Sequence, residues 1–176
     1  RIAALMAGLP IETAGVTINR NCASSLQAIN DSAMSIMAGC ENVQIAGGVE
    51  HMHHIPMTKD YDPAPGLFRK YSEAIMHMGL TAEYLSTKYG IGRTQQDEFA
   101  LRSHLLAAEA TRSGQFADEV IPTWARDDAG RKAQITRDQC IRDDCSIEGL
   151  EALAPAFNPA GGSVTAGNSS PINVGA

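Results

Sequence analysis

"VTINRNCASSLQAIND", residues 16–31, changes rhythm in its middle. Val16, Thr17 and Ile18 are β-branched and suit an extended chain. From Leu26 onward the apolar residues step at helical spacing, and Leu26, Ile29, Ala33, Ile36 and Cys40 fall on one face. The spacing predicts a strand over 14–19, then a helix, with Cys22 at the junction. "VQIAGGV", residues 43–49, is an apolar run too short for most helices and predicts a strand buried on both faces. Strand, helix and strand within ~30 residues make a βαβ unit, which implies a parallel sheet.

Outward from this unit the texture changes. Residues 1–7 read as a helix broken by Gly8 and Pro10. Residues 51–69 are rich in His, Pro and Met without periodicity and read as a loop. Met78, Ala82, Leu85 and Tyr89 mark a helix with its buried stripe, and Gly90 suits its left-handed end. Thr94 with Asp97 resembles a capping box, opening a helix to about Arg112. The stripe Leu101, Leu105 and Ala108 is its expected buried face, broadened by Phe99 and Leu106, and Gly114 stops it. Residues 118–148 are mixed and charged and predict strand-poor loops, and "GGSVTAGNSS" (161–170) returns to small residues around a short strand. The expected fold class is α/β: a parallel-sheet core with an inserted, mainly helical loop domain. Residues 1–50 form the core segment, 51–162 the helical insertion and 163–176 the return strand of the core.

Composition excludes several classes of function. A net charge of −6 with scattered Lys and Arg argues against a nucleic-acid surface. No run of about 18 apolar residues is present, so no membrane span is expected. "NPAGGSVTAGNSS" lacks the GK-[ST] ending of a phosphate loop. His51, His53 and His54 have no Cys or carboxylate at ligand spacing to complete a metal site, and no metal is expected. The four cysteines show no CxxC pair, and the N-terminus has no signal-peptide layout. A reducing compartment follows, cytoplasmic in a bacterium or an organelle matrix, with the cytoplasm preferred. The chain opens without Met inside a helical pattern, and it reads as a partial chain.

Cys22 has two readings. A thiol attacks as its thiolate, with a free pKa near ~8.5. A helix N-terminus, with its partial positive charge and unpaired N–H groups, favours the anion. The same N–H groups can later hold a developing oxyanion. Against this, cysteine is among the residues most often buried and inert. Periodicity alone leaves both open, and it assigns Cys40 to the core and Cys140 and Cys145 to surface or packing positions.

The wording around Cys22 adds a resemblance. "TINRNCASSLQAIND" (17–31) is similar to the segment around the acylated cysteine of thiolases, N-x-x-C-[AG]-S-[SG]. "AGGVEHM" (46–52), "HMGLTAEYL" (77–85), "RTQQDEFALRSHLLAAEAT" (93–111) and "PAFNPAGGSVTAGNSSPINVGA" (155–176) resemble further thiolase motifs, in the family's order along nearly the whole chain. "GGVEHMHHIPMT" (47–58) looks nearest to the degradative 3-ketoacyl-CoA thiolases of fatty-acid β-oxidation. The resemblance implies a thiolase-like fold and Cys22 as the acylated nucleophile. It implies coenzyme A as a substrate, with no permanently bound cofactor. The implied coenzyme A contacts are His77, Met78, Arg142, Ala166 and Ser170. By residue pattern, Met78 instead fits its helix's own buried stripe, Arg142 a solvated charged face, and Ser170 a strand end. Implied partners are acyl-CoA and CoA, a second copy or copies in a homodimer or homotetramer, and a hydratase/dehydrogenase protein. The biosynthetic acetyl-CoA acetyltransferases and a non-catalytic acyl-CoA-binding relative are the alternatives. The family's G-H-P, NEAF and C-x-G-x-G motifs do not occur in these residues, so the resemblance implies no turnover by this stretch alone. Val174 stands where the family has an Asp suited to a helix N-cap, a change that puts the start of a following helix in doubt unless Asn173 caps it.

Overall fold

The computed structural model describes residues 1–59, 61–127 and 129–176, with Ile75 by its main chain alone. In chain order the elements are α1 (Ile2–Met6), α2 (Ser24–Met37), β1 (Glu50–His51), a 3-10 turn (Glu73–Met76), α3 (Met78–Tyr89), α4 (Arg93–Arg112), β2 (Thr123–Arg126), β3 (Lys132–Ile135), α5 (Ile147–Glu151) and β4 (Val174–Gly175). They divide into two compact units, Arg1–Met57 with Asn173–Ala176, and Thr58–Ile172.

In the first unit, α2 forms where the sequence places it, and its end is a closed motif. Gly39 is left-handed at φ 73°, its N–H donates to the Ile36 carbonyl (3.0 Å), and the Cys40 N–H reaches back to Ser35 (3.0 Å). That is a Schellman closure, which glycine adopts without a Cβ penalty. α1 closes the same way through Gly8, with Leu9 N–H donating to the Ala4 carbonyl at 3.1 Å. Cys40 therefore lies beyond its helix, off the stripe, and is exposed rather than in the core. The stripe itself is open too, with Leu26 and Ile29 exposed.

The expected strands at 14–19 and 43–49 carry no ladder. β1 pairs antiparallel with β4, Glu50 opposite Gly175 and His51 opposite Val174. Val174 is thus a strand residue. Among the described residues the only ladders are antiparallel pairs, so the expected parallel sheet is not formed by them. The physical reason is visible in Val16, 85% exposed, and Ile45, 80% exposed. Their apolar side chains and main-chain groups have no neighbouring strand on which to form a ladder.

The second unit is mainly helical and holds every buried residue among those described: Ala108, Leu150, Val164, Gly79, Asp97 and Thr165. α4 packs on α5. Gly79 in α3 lies so close to the Phe157 ring that a Cβ would overlap it. α3 ends at left-handed Gly90 (φ 66°, ψ 32°), as the sequence predicts. α4 begins at N-cap Gly92, whose N–H donates to Gln95 Oε1 at 2.9 Å. The cap at this helix start is the Gln95 side chain alone, since Gly92 has no side chain to return a bond, in place of the expected Thr94–Asp97 pairing. α4 ends as α1 and α2 do, with Gly114 at φ 75° and Gln115 N–H donating to the Ala110 carbonyl (2.9 Å).

Residues 118–148, expected to be strand-poor, contain the β2–β3 hairpin, with Trp124 opposite Gln134. Asp127 closes its turn by accepting from the N–H groups of Ala129 (3.0 Å) and Arg131 (2.9 Å). Lys132 Nζ stands 4.9 Å from the Trp124 ring centroid. No helix among the described residues is long and apolar enough to cross a membrane.

Candidate functional site

Cys22 is exposed and lies one residue before Ala23, the N-cap of α2. The approach to the helix is tightly built. Asn21 takes φ 48°, a left-handed turn that Asn tolerates better than most residues. Its N–H donates to the Asn19 side-chain carbonyl at 3.0 Å. Ser24 Oγ accepts from the Arg20 N–H (2.7 Å) and donates to the Asn21 carbonyl (2.7 Å). Cys22 is thus placed just ahead of a helix of 14 residues. The first N–H groups of that helix have no intrahelical acceptor. Gly48 backs directly on Ser25, where a Cβ would collide with the serine hydroxyl. Gly48 of "AGGVE" thereby serves close approach to α2, while Gly47 has open space around it.

The other sequence-predicted residues lie in the second unit. His77 is the N-cap of α3, and its carbonyl accepts from the Thr81 N–H at 3.0 Å. Met78 is 78% exposed, so it does not belong to a buried stripe. Ala166 and Ser170 are exposed on the segment 163–170. Arg142 is exposed, and its main-chain N–H donates to His104 Nδ1 at 3.3 Å. Cys145 is half-buried, and burial, reinforced by the Asp144 charge and opposed by Arg142, pushes its thiol up. That makes it a poor thiolate. Among the described residues no group of His, Cys, Asp or Glu is arranged to hold a metal ion. In the first unit His51 Nδ1 instead accepts the His54 N–H at 3.1 Å.

A polar network not anticipated from the sequence supports the 163–170 segment. Burial would raise the Glu83 carboxyl, but the N–H groups of Ser163 and Val164 and the Ser163 hydroxyl outweigh it and hold it below its ordinary value. The Ser163 N–H lies 3.0 and 2.9 Å from the two Glu83 oxygens, and the Val164 N–H lies 2.9 Å from one of them. Gln96 Nε2 donates to Ser163 Oγ at 2.9 Å. Asp97, fully buried, accepts from Arg93 Nε (2.6 Å) and from Asn168 Nδ2 (2.9 Å). Arg93 also donates to the carbonyls of Leu150 (2.6 Å) and Leu153 (3.0 Å). Asn168 Oδ1 accepts the Thr165 N–H at 2.7 Å, and Thr165 Oγ1 accepts from Gly167 (3.2 Å) and Asn168 (3.3 Å). Every buried polar side-chain atom among the described residues is satisfied, as a network of this kind requires.

The family model for the thiolase N-terminal domain matches residues 1–176, the whole of the sequence. The chain belongs to the thiolase family. It is 48% identical over 176 residues to the 3-ketoacyl-CoA thiolase of Idiomarina loihiensis, covering all of this chain and 46% of that protein. It is 50% identical over 172 residues to the 3-ketoacyl-CoA thiolase of Saccharophagus degradans, covering 98% of this chain and 44% of that one. The crystal structure of the Bacillus anthracis acetyl-CoA acetyltransferase superposes with TM-score 0.77 at 40% identity, over 97% of this chain and 46% of that one. The dimeric peroxisomal thiolase of Saccharomyces cerevisiae gives TM-score 0.79 at 34% identity, over 94% of this chain and 42% of that one. These neighbours make the fold a thiolase-like α/β fold. The thiolase chain spans about half the length of the curated relatives it matches (46%).

Proposed function

We propose that this thiolase chain supplies the nucleophile of a 3-ketoacyl-CoA thiolase. Cys22 Sγ attacks the 3-keto carbon, and the C2–C3 bond breaks. The electron pair leaves with C2 as the enolate of acetyl-CoA, which takes up a proton. The shortened acyl group stays on sulfur until the thiolate of a second coenzyme A removes it as acyl-CoA. This is covalent catalysis in two half-reactions. The N–H groups opening α2, other than that of Ser24, which donates to the Asn21 carbonyl (3.1 Å), are candidate donors to the carbonyl oxygen in the tetrahedral intermediates. The observation that carries this reading is an exposed cysteine one residue ahead of a helix N-cap, in a chain that the family model matches end to end.

In the same reading His77, Met78, Ala166 and Ser170 contact coenzyme A, and Arg142 lies toward its nucleotide. Their exposure supports this assignment. Coenzyme A is a substrate, and no permanently bound cofactor or metal takes part. The finer architecture proposed for the protein that carries this chain is a parallel-sheet core (1–50 and 163–176) with the helical insertion 51–162, although the only ladders among the described residues of this chain are antiparallel. A homodimer or homotetramer in the cytoplasm is the expected assembly, and a hydratase/dehydrogenase is a candidate partner. The likeness to an acetyl-CoA acetyltransferase at 40% identity supports a second direction, condensation of two acetyl-CoA through the same acyl-cysteine.

Acid-quenching the protein that carries this chain after brief exposure to acetoacetyl-CoA, then mapping its peptides by mass, tests the reading. An acetyl group on the peptide containing Cys22, discharged by added coenzyme A, is expected. Acetylation spread equally over the other cysteines, or none, would defeat it.

A further inference from the structure

Three polar clasps meet on the segment 163–170, and all lie within the second unit. Glu83, in the middle of α3, takes the main-chain N–H groups of both Ser163 (2.9 Å) and Val164 (2.9 Å). The approach is so close that a Cβ on Gly162 would overlap the same carboxylate. Asp97, on α4, is wholly buried and spans Arg93 and Asn168. Asn168 in turn closes the turn Thr165–Asn168 from inside, accepting from Thr165 (2.7 Å) and donating to the Ser163 carbonyl (3.0 Å). Thr165 is 0% exposed, while Ala166 at the tip of that turn and Ser170 just beyond it face solvent.

This is more polar machinery than a short loop needs simply to be tethered. A buried carboxylate and a half-buried one are each costly to desolvate and are retained here only because every oxygen finds donors. The arrangement fixes shape as well as position. α3 begins with His77 and Met78, and the same helix presents Glu83 to Ser163. Glu83 therefore sets the spacing between the His77–Met78 end of α3 and the exposed Ala166–Ser170 segment. We propose that Glu83 and the Asp97–Asn168 pair are positioning residues, holding the 165–168 turn and its spacing from the start of α3 in the geometry that receives coenzyme A. The inference rests on the reading of these exposed residues as coenzyme A contacts. It adds which buried groups pre-form the surface, so that ordering costs are met before the ligand arrives.

Calorimetric titration of coenzyme A into the full chain tests this, with the thermal midpoint recorded for each variant. Asp97→Asn and Asn168→Asp each break the Asp97–Asn168 bond, the first by facing an amide N–H toward a donor, the second by opposing two carboxylates. Each is expected to weaken coenzyme A binding about tenfold. The reversed pair D97N/N168D restores a donor opposite an acceptor between the two side chains and is expected to recover part of that loss, the Ser163 carbonyl being left without its Asn168 donor. Such a rescue belongs to coupled residues, not to independent damage. Glu83→Gln, the gentler change, is expected to weaken binding and to lower the midpoint modestly while the variant stays folded at the temperature of the titration. Folded variants that bind within about twofold of the parent would overturn the positioning role. Should the Asp97 and Asn168 variants fail to fold, Glu83→Gln decides alone: weaker binding supports the role and unchanged binding overturns it. No binding by the parent chain would instead overturn the coenzyme A reading on which the role depends.

Discussion

Asn21 and Cys22 show how one backbone choice sets up a reactive atom. The left-handed Asn21 (φ 48°) turns the chain so that α2 starts immediately after the sulfur-bearing residue. Replacing Asn21 by Val places a β-branched side chain in that region and should destabilise the first unit by about 1–2 kcal/mol, read by urea denaturation. Asn21→Gly should be close to neutral. Cys22→Ser in the protein that carries this chain should lower thiolysis at least about a thousandfold, since the acyl acceptor is removed. Cys40→Ser should leave the rate near that of the parent, because Cys40 lies past the end of α2. Glu83 carries the pH dependence. Its carboxyl is held below an ordinary value of 4.5 despite burial that would raise it, because the N–H groups of Ser163 and Val164 and the Ser163 hydroxyl favour the anion. A depressed carboxyl contributes stability that is complete above its unfolded value and is lost as pH falls through the lower folded value. The thermal midpoint of the second unit should therefore fall on acidification below about pH 4.5, and Glu83→Gln should flatten that decline.

At the scale of elements, α3 is instructive because its apolar periodicity points the wrong way. Met78, Leu85 and Tyr89 form a regular stripe, yet all three are exposed. The packed face is Gly79, Glu83 and Ser86, which meet Phe157 and Ser163. Gly79→Ala weighs helix propensity, a gain of about 0.5–1 kcal/mol, against overpacking of the Phe157 ring, a cost of about 1–3 kcal/mol. The clash wins where the ring cannot retreat, so a lower thermal midpoint is expected. The glycine ends at Gly90 and Gly114 were legible because capping and Schellman chemistry are local, whereas the apolar stripe of α2 reads past its end at Gly39, on to Cys40. The packed faces were not legible, because small and polar residues carry the contacts. Asp97 did leave a signal, since it falls in register with Leu101, Leu105 and Ala108, and a carboxylate on an apolar stripe calls for buried donors. The β2–β3 hairpin escaped because its short strands, "TWAR" and "KAQI", have no sustained alternation, and the Asp127 turn rather than strand propensity holds it.

For the whole molecule, burial is uneven. All fully buried residues among those described belong to 58–172, and none to 1–57 or 173–176. The parallel sheet expected from "VTIN" and "VQIAGGV" could not be checked by periodicity, because parallel strands depend on neighbours distant in sequence. Hydrogen exchange of this chain should show fast exchange over 14–19 and 43–49, where no ladder protects the amides, and the slowest exchange in α4 around Ala108. Equal protection in both regions would contradict this distribution of stability.

The central claim is that Cys22 is the thiol that accepts the acyl group, and competitive alkylation tests it most directly. Brief treatment with iodoacetamide, followed by peptide mass mapping, should modify Cys22 ahead of Cys40, Cys140 and Cys145, and acetoacetyl-CoA should suppress that modification selectively. Uniform alkylation of the four thiols, indifferent to the coenzyme A ester, would contradict it.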